Sequence, residues 1–155
     1  MPQTQRDRRL AFVKAEDLEL WRCRPLGTVD VLDLKDRRVG RFEGLVLDSL
    51  ADRPLYIVVG SDSPKGSKAF LVPLGDAWFD DTERAIRIDV KPGSGEAPPF
   101  DAHAFERMTA DEAAEFERRV LGECCPEVGL HRDGTPDYER SARFQCPSWL
   151  REPKP

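Results

Sequence analysis

The sequence predicts a mainly β protein, a small antiparallel β-barrel over residues 28–90 followed by a C-terminal α-helix and an irregular tail. Three observations carry this expectation. Apolar runs of strand length recur between turn residues from Thr28 to Val90. Gly40 and Gly44 interrupt the longest run, Arg38 to Asp48, as glycines do where a strand bulges or bends at a barrel corner. Past a stretch rich in proline and glycine, Lys91 to Pro99, the apolar spacing changes from two to three and four.

Each element follows from local chemistry. Residues 1–27 read as an arm and lead-in, with 1–9 disordered and Leu10-Ala11-Phe12-Val13 too short to type. Asp17 to Trp21 alternates polar and apolar residues, which suits a short strand or a lead-in turn with Trp21 sealing one end of the core. Thr28 to Leu34 and the run from Arg38 form a hairpin through the turn Lys35-Asp36-Arg37. Within that run Phe42 and Val46 are assigned to one face, Leu45 and Leu47 to the other. Asp52-Arg53-Pro54 turns into Leu55 to Val59, a near-continuous β-branched strand. A polar loop, Gly60 to Lys68, leads to the strand Ala69 to Leu74. Ala77-Trp78-Phe79 and Ala85 to Val90 close as a hairpin, with Ile86, Ile88 and Val90 inward and Arg87 and Asp89 outward.

Residues 91–100 are a linker by composition. In the helical segment 101–123, Asp101 caps a short turn through Arg107, and Thr109-Ala110-Asp111-Glu112 matches a capping box. Ala113, Phe116 and Val120 then form the buried stripe of a helix ending near Gly122, with Glu115, Glu117, Arg118 and Arg119 outward. The tail, 124–155, has no period yet holds Tyr138, Phe144, Trp149 and Leu150. It wraps the barrel or docks on a partner; wrapping is favoured, because so many exposed aromatics would be unusual.

Composition narrows the function. Twenty-four basic against 29 acidic residues leave a net charge of −5, which argues against broad nucleic-acid affinity. Three arginines lie within residues 6–9, a basic arm read as a solvated terminus. No apolar run reaches the ~20 residues of a membrane span, and the start lacks the apolar core of a secretory signal, so a cytoplasmic location is expected. In that setting Cys23, Cys124, Cys125 and Cys146 stay reduced.

The run Asp36-Arg37-Arg38-Val39-Gly40 with Phe42 and Leu45-Val46-Leu47-Asp48, then Tyr56-Ile57-Val58-Val59 and Leu71-Val72-Pro73-Leu74, resembles the PRC-barrel family. That family is named after the cytoplasmic barrel of the photosynthetic reaction-centre H subunit, and a related barrel forms the C-terminal half of a ribosome-maturation factor. The resemblance spans residues 28–90. It departs at Gly44, where many relatives carry an acid, and the cysteine-bearing tail lies outside the family pattern. It implies a non-enzymatic interaction, assembly or adaptor module with a protein partner or self-association, and no shared catalytic residues to carry over. A ribosomal or RNA-processing association is the alternative it implies. Physics adds a reason for partnership: a domain of ~60 residues buries only about 60% of its chain surface and needs cover. The helix, the tail or a second copy can supply it.

The sequence offers no residue to assign as catalytic, cofactor-binding or metal-binding. His103 falls in the capping turn and His131 in an irregular stretch, and no G-x-S-x-G occurs. Cys124, Cys125, His131 and Cys146 are a conceivable zinc set, or the basis of a redox-linked tail, but their spacing fits no zinc-finger pattern. Adjacent cysteines are also awkwardly placed for a structural disulfide. Asp80-Asp81, and Asp48 with Asp52, read as turn aspartates rather than acid–base couples. The loop Gly60 to Lys68 lacks the spacing of a phosphate-binding loop.

Overall fold

The apolar runs become strands of one sheet in a computed structural model, which describes residues 9–21, 28–61, 68–89 and 97–150. The strands are β1 (Leu10–Lys14), β2 (Asp30–Leu32), β3 (Arg38–Asp48), β4 (Arg53–Ser61), β5 (Lys68–Pro73), β6 (Ala77–Asp80), β7 (Ala85–Ile88) and β8 (Pro99–Phe100). Hydrogen-bonded neighbours follow the order β6–β7–β2–β3–β4–β5–β8. The 11 residues of β3 organise the sheet. One edge bonds β4, while the other bonds β2 near its start and β1 near its end.

The fold is mainly β, as expected, but the barrel is not closed. Among the described residues the path ends at β6 and β8, which do not pair. Side chains from its two ends, Ile86 and Ile88 against Phe70 and Val72, nevertheless meet in one cluster. The sheet therefore rolls without sealing its seam. Nor is it wholly antiparallel: the rolled chain brings β7 beside β2 in the same direction, with Val31 opposite Ile86.

The sheet also extends past residues 28–90 at both ends. Leu10–Lys14, untyped in the sequence, is β1, and Leu10, Ala11 and Val13 are buried. Ala15–Trp21 is a 3-10 helix, which fits the lead-in turn and not the strand; Ala15 and Leu18, three apart, share its buried side. The expected role of the Trp21 side chain lies outside the described residues, as does Val90. At the far end Pro99–Phe100, assigned by composition to the linker, pairs with β5 as β8.

The face assignment within β3 is corrected by a bulge. Phe42 pairs with Val59 but Gly44 with Val58, so Glu43 is an extra residue. The bulge flips the alternation: Phe42 joins Leu45 and Leu47 on one face, and Val46 stands on the other. Gly44 makes it possible, with φ of 153° and a backbone approach that would place an added Cβ 2.1 Å from the Val13 carbonyl oxygen.

The inner face packs Val31, Phe42, Leu45, Ile57, Val72 and Ile86 into one cluster. The outer face, with Val46, Tyr56, Val58 and Leu71, lies under two helices and the tail. Helix α1 (Ala102–Glu106) is capped by the Asp101 side chain, and α2 (Ala110–Cys124) by the Thr109–Glu112 capping box, both as read from the sequence. α2 runs past Gly122 to Cys124, because Leu121 and Cys124 extend its buried stripe while Gly122 faces open space.

The tail wraps the sheet. Three short 3-10 turns at Pro126–Val128, Tyr138–Arg140 and Ala142–Phe144 bury Val128, Tyr138 and Phe144 on the outer face, and Leu150 reaches the inner cluster. Phe144 stacks edge-on against Tyr56 and Tyr138, with centroids 5.3 and 4.9 Å away. No described helix is long and apolar enough to cross a membrane.

Candidate functional site

Two polar clusters stand out beneath the tail. The first is built on Glu117, expected to face water and found 3% exposed. Its place in α2, four residues after Ala113 and three before Val120, puts it on the buried stripe. One carboxylate oxygen accepts from the Arg9 guanidinium and the other from the Tyr138 hydroxyl. Arg9 also donates to Asp48 Oδ2 at 2.8 Å. Asp48 Oδ1 in turn accepts from the Leu50 and Ala51 amides at 3.0 and 3.1 Å, the turn role expected of it.

Arg9, assigned to a disordered basic arm, is therefore a tie between β3 and α2. Ser49 holds its backbone as well, donating from its amide and its hydroxyl to the Arg9 carbonyl at 2.7 and 2.9 Å. Burial opposes the guanidinium charge, and the carboxylates of Glu117 and Asp48 more than offset it, so Arg9 stays charged above its usual range. Every carboxylate oxygen of the cluster has a donor. Such a network fixes geometry.

Burial, with the Glu117 charge beside it, also pushes the Tyr138 hydroxyl well above its usual range. Tyr56 moves the same way, chiefly by burial, with its hydroxyl beside the Cys124 thiol. These are the two tyrosines of the chain. A folded-state pKa raised above the unfolded value of about 10 contributes stability that is complete below pH 10 and is lost as pH rises. The loss is about 1.4 kcal/mol per pH unit for each tyrosine. Alkaline titration is therefore expected to show phenolate absorbance and unfolding in one coincident transition. Ionisation of either tyrosine near pH 10 in a chain with native circular dichroism would contradict this burial.

The second cluster joins Cys124 and Cys125, both buried, with their sulfurs 2.6 Å apart. Arg143, from the tail, donates to the Cys124 carbonyl at 2.7 Å and to Cys125 Sγ at 3.4 Å. The hydrogen bond from Cys124, reinforced by that guanidinium, lowers the Cys125 pKa. The same bond raises that of Cys124. The tail and the 3-10 turn Leu74–Asp76, which follows β5, approach closely here: a Cβ on Gly75 would lie 2.4 Å from the Arg143 Cα.

The remaining residues singled out in the sequence are dispersed. His103 is exposed on α1, and His131 is an exposed loop residue whose Nε2 stands 3.7 Å from Asp137 Oδ1. Cys146 is exposed. Among the described residues no three His, Cys, Asp or Glu side chains gather into a metal-binding group. Cys23 and most of the loop Gly60 to Lys68 lie outside the described residues. Asp80 accepts from the Thr82 and Glu83 amides in the β6–β7 turn, and the Arg87 guanidinium holds its carboxyl below the usual range.

Two surface hollows of about 250 and 290 Å³ flank the 131–136 loop, with Arg9 on the wall of both. A third, of about 330 Å³, lies between Phe12, Glu43 and Phe100. No protein-family model and no curated protein matches the chain.

Proposed function

We propose that this chain is a non-enzymatic module of the PRC-barrel kind. It acts through its outer surface as an assembly or adaptor piece for another protein or for a second copy of itself. The observation that carries this reading is the filled interior of the rolled sheet. Phe42, Leu45, Ile57, Val59, Val72 and Ile86 are all 0% exposed and pack on one another. A small-molecule site is ordinarily a concavity with a few convergent polar groups. Here the inside is occupied by the chain itself, and Arg9 on the wall of two hollows is already paired.

Most residues quoted for the family resemblance lie on the central strands. Val39 to Asp48 lies on β3, Tyr56 to Val59 on β4, and Leu71 to Pro73 on β5. The net charge of −5 disfavours a phosphate backbone as partner and leaves a protein surface as the better one.

Light scattering combined with capture by the immobilised full chain tests this reading. The expected result is a mass above the 17.6 kDa of one chain, or a retained protein that rebinds stoichiometrically once purified. A strict monomer that retains nothing contradicts it. Co-sedimentation with ribosomal subunits at low salt would instead favour the ribosomal association.

A further inference from the structure

We propose that Cys124 and Cys125 are a reversible oxidation site, closing into an intrachain disulfide when the protein meets a hydroperoxide. The pair lies where α2 stops. The Cys125 amide still donates to the Leu121 carbonyl at 2.9 Å, but its φ and ψ of −145° and 60° leave the helix and turn its sulfur onto that of Cys124. The Arg143 guanidinium touches the Cys125 sulfur and the Cys124 carbonyl together.

That arrangement separates two roles. A guanidinium and a neighbouring S–H stabilise the Cys125 thiolate, the reactive form of a thiol. Cys124, whose carbonyl rather than sulfur meets the guanidinium, is the second, resolving thiol. In the first step the Cys125 thiolate attacks one peroxide oxygen, the O–O bond breaks, and the leaving hydroxide or alkoxide takes a proton from solvent. Cys125 becomes a sulfenic acid. In the second step the Cys124 sulfur attacks the Cys125 sulfur, the S–S bond forms, and the S–O bond breaks. The Cys124 proton leaves with the hydroxyl group as water. Two thiols lose two electrons and the hydroperoxide gains them.

Access and reversibility follow from the surroundings. Arg143 covers the pair but keeps 35% of its side chain exposed, and its carboxylate neighbours Asp76 and Glu127 are 3.8 and 3.9 Å away. Ion pairs this long and this wet hold weakly, so the side chain can shift enough to admit a small peroxide while its bond to the Cys124 carbonyl keeps it beside the Cys125 sulfur. Adjacent Cα atoms stand about 3.8 Å apart. Ordinary disulfides span about 4.4–6.8 Å. The ring is therefore strained, and strained disulfides are readily reduced.

The test uses the full chain carrying Cys23→Ser and Cys146→Ser, treated with hydrogen peroxide, then denatured, alkylated and digested for mass spectrometry. The expected product is a peptide spanning residues 124–125 that resists alkylation, is lighter by two hydrogens, and is restored by dithiothreitol. Adding Cys124→Ser should leave a sulfenic acid on Cys125 that dimedone captures. Arg143→Gln should slow oxidation about tenfold and move its pH profile to higher pH. The same peptide analysis on the unaltered chain stands independently of how well the variants fold. Full alkylation of both thiols after peroxide, or dimedone captured on Cys124 in a Cys125→Ser chain, would overturn the proposal.

Discussion

Replacing Glu117 with alanine is expected to cost about 3–5 kcal/mol of stability, the range for breaking a buried ion pair on one side. The carboxylate accepts from both Arg9 and Tyr138, so its loss leaves the half-buried guanidinium with Asp48 alone and the buried hydroxyl without an acceptor. Urea unfolding followed by circular dichroism measures it. A solvated helix position, which is how the charge pattern of α2 reads, would lose no more than about 0.5 kcal/mol. The two readings of one residue thus differ severalfold in an ordinary denaturation midpoint. Glu117→Gln should fall between them, since the amide can still meet Tyr138 but no longer balances the Arg9 charge.

Phe144→Ala is expected to cost a similar amount, about 3–5 kcal/mol, for truncating a large side chain in a packed site. Phe144 is 1% exposed, between the rings of Tyr56 on the sheet and Tyr138 in the tail. The same substitution in an arm that docks on a partner would leave the stability of the free chain nearly unchanged. Differential scanning calorimetry of the purified variant distinguishes the two. Because Phe144 neighbours Tyr138, its effect and that of Glu117→Ala should not add when combined.

These two residues mark where local pattern stops carrying information. Strands β3 to β5 and the β6–β7 hairpin were legible, since alternation, β-branching and turn aspartates act within a few residues. The capping box at Thr109 was legible for the same reason. Phe42 was placed on the wrong face because the bulge at Glu43 shifts parity by one, and a glycine alone does not say whether it bends or bulges a strand.

Glu117 was misplaced because carboxylates are rarely buried without a partner. Its main partner, Arg9, is 108 residues away in sequence. The 4–3 spacing from Ala113 through Glu117 to Val120 was the available signal, and charge outweighed it. Similarly, Arg9 looked like part of a solvated arm until β1 paired with β3 and carried it to Asp48, 39 residues distant. The adjacency of Cys124 and Cys125 was visible, but the cation beside them comes from Arg143, whose position depends on the path of the tail.

The partnership expected from the small size of the barrel is accordingly recast. The second layer that residues 28–90 lack is furnished within the chain, by α1, α2 and the aromatic tail. A partner is therefore not needed to cover a bare sheet. That places the weight of the account on the tail being an integral part of the fold.

Native-state hydrogen exchange resolved by segment tests this most directly. The amides of Phe144, Gln145 and Leu150, bonded within the tail, are predicted to exchange with the same protection as those of β4 and α2, through global unfolding. Exchange of residues 138–150 at the rate of an unstructured chain, while β3 to β5 remain protected, would contradict it.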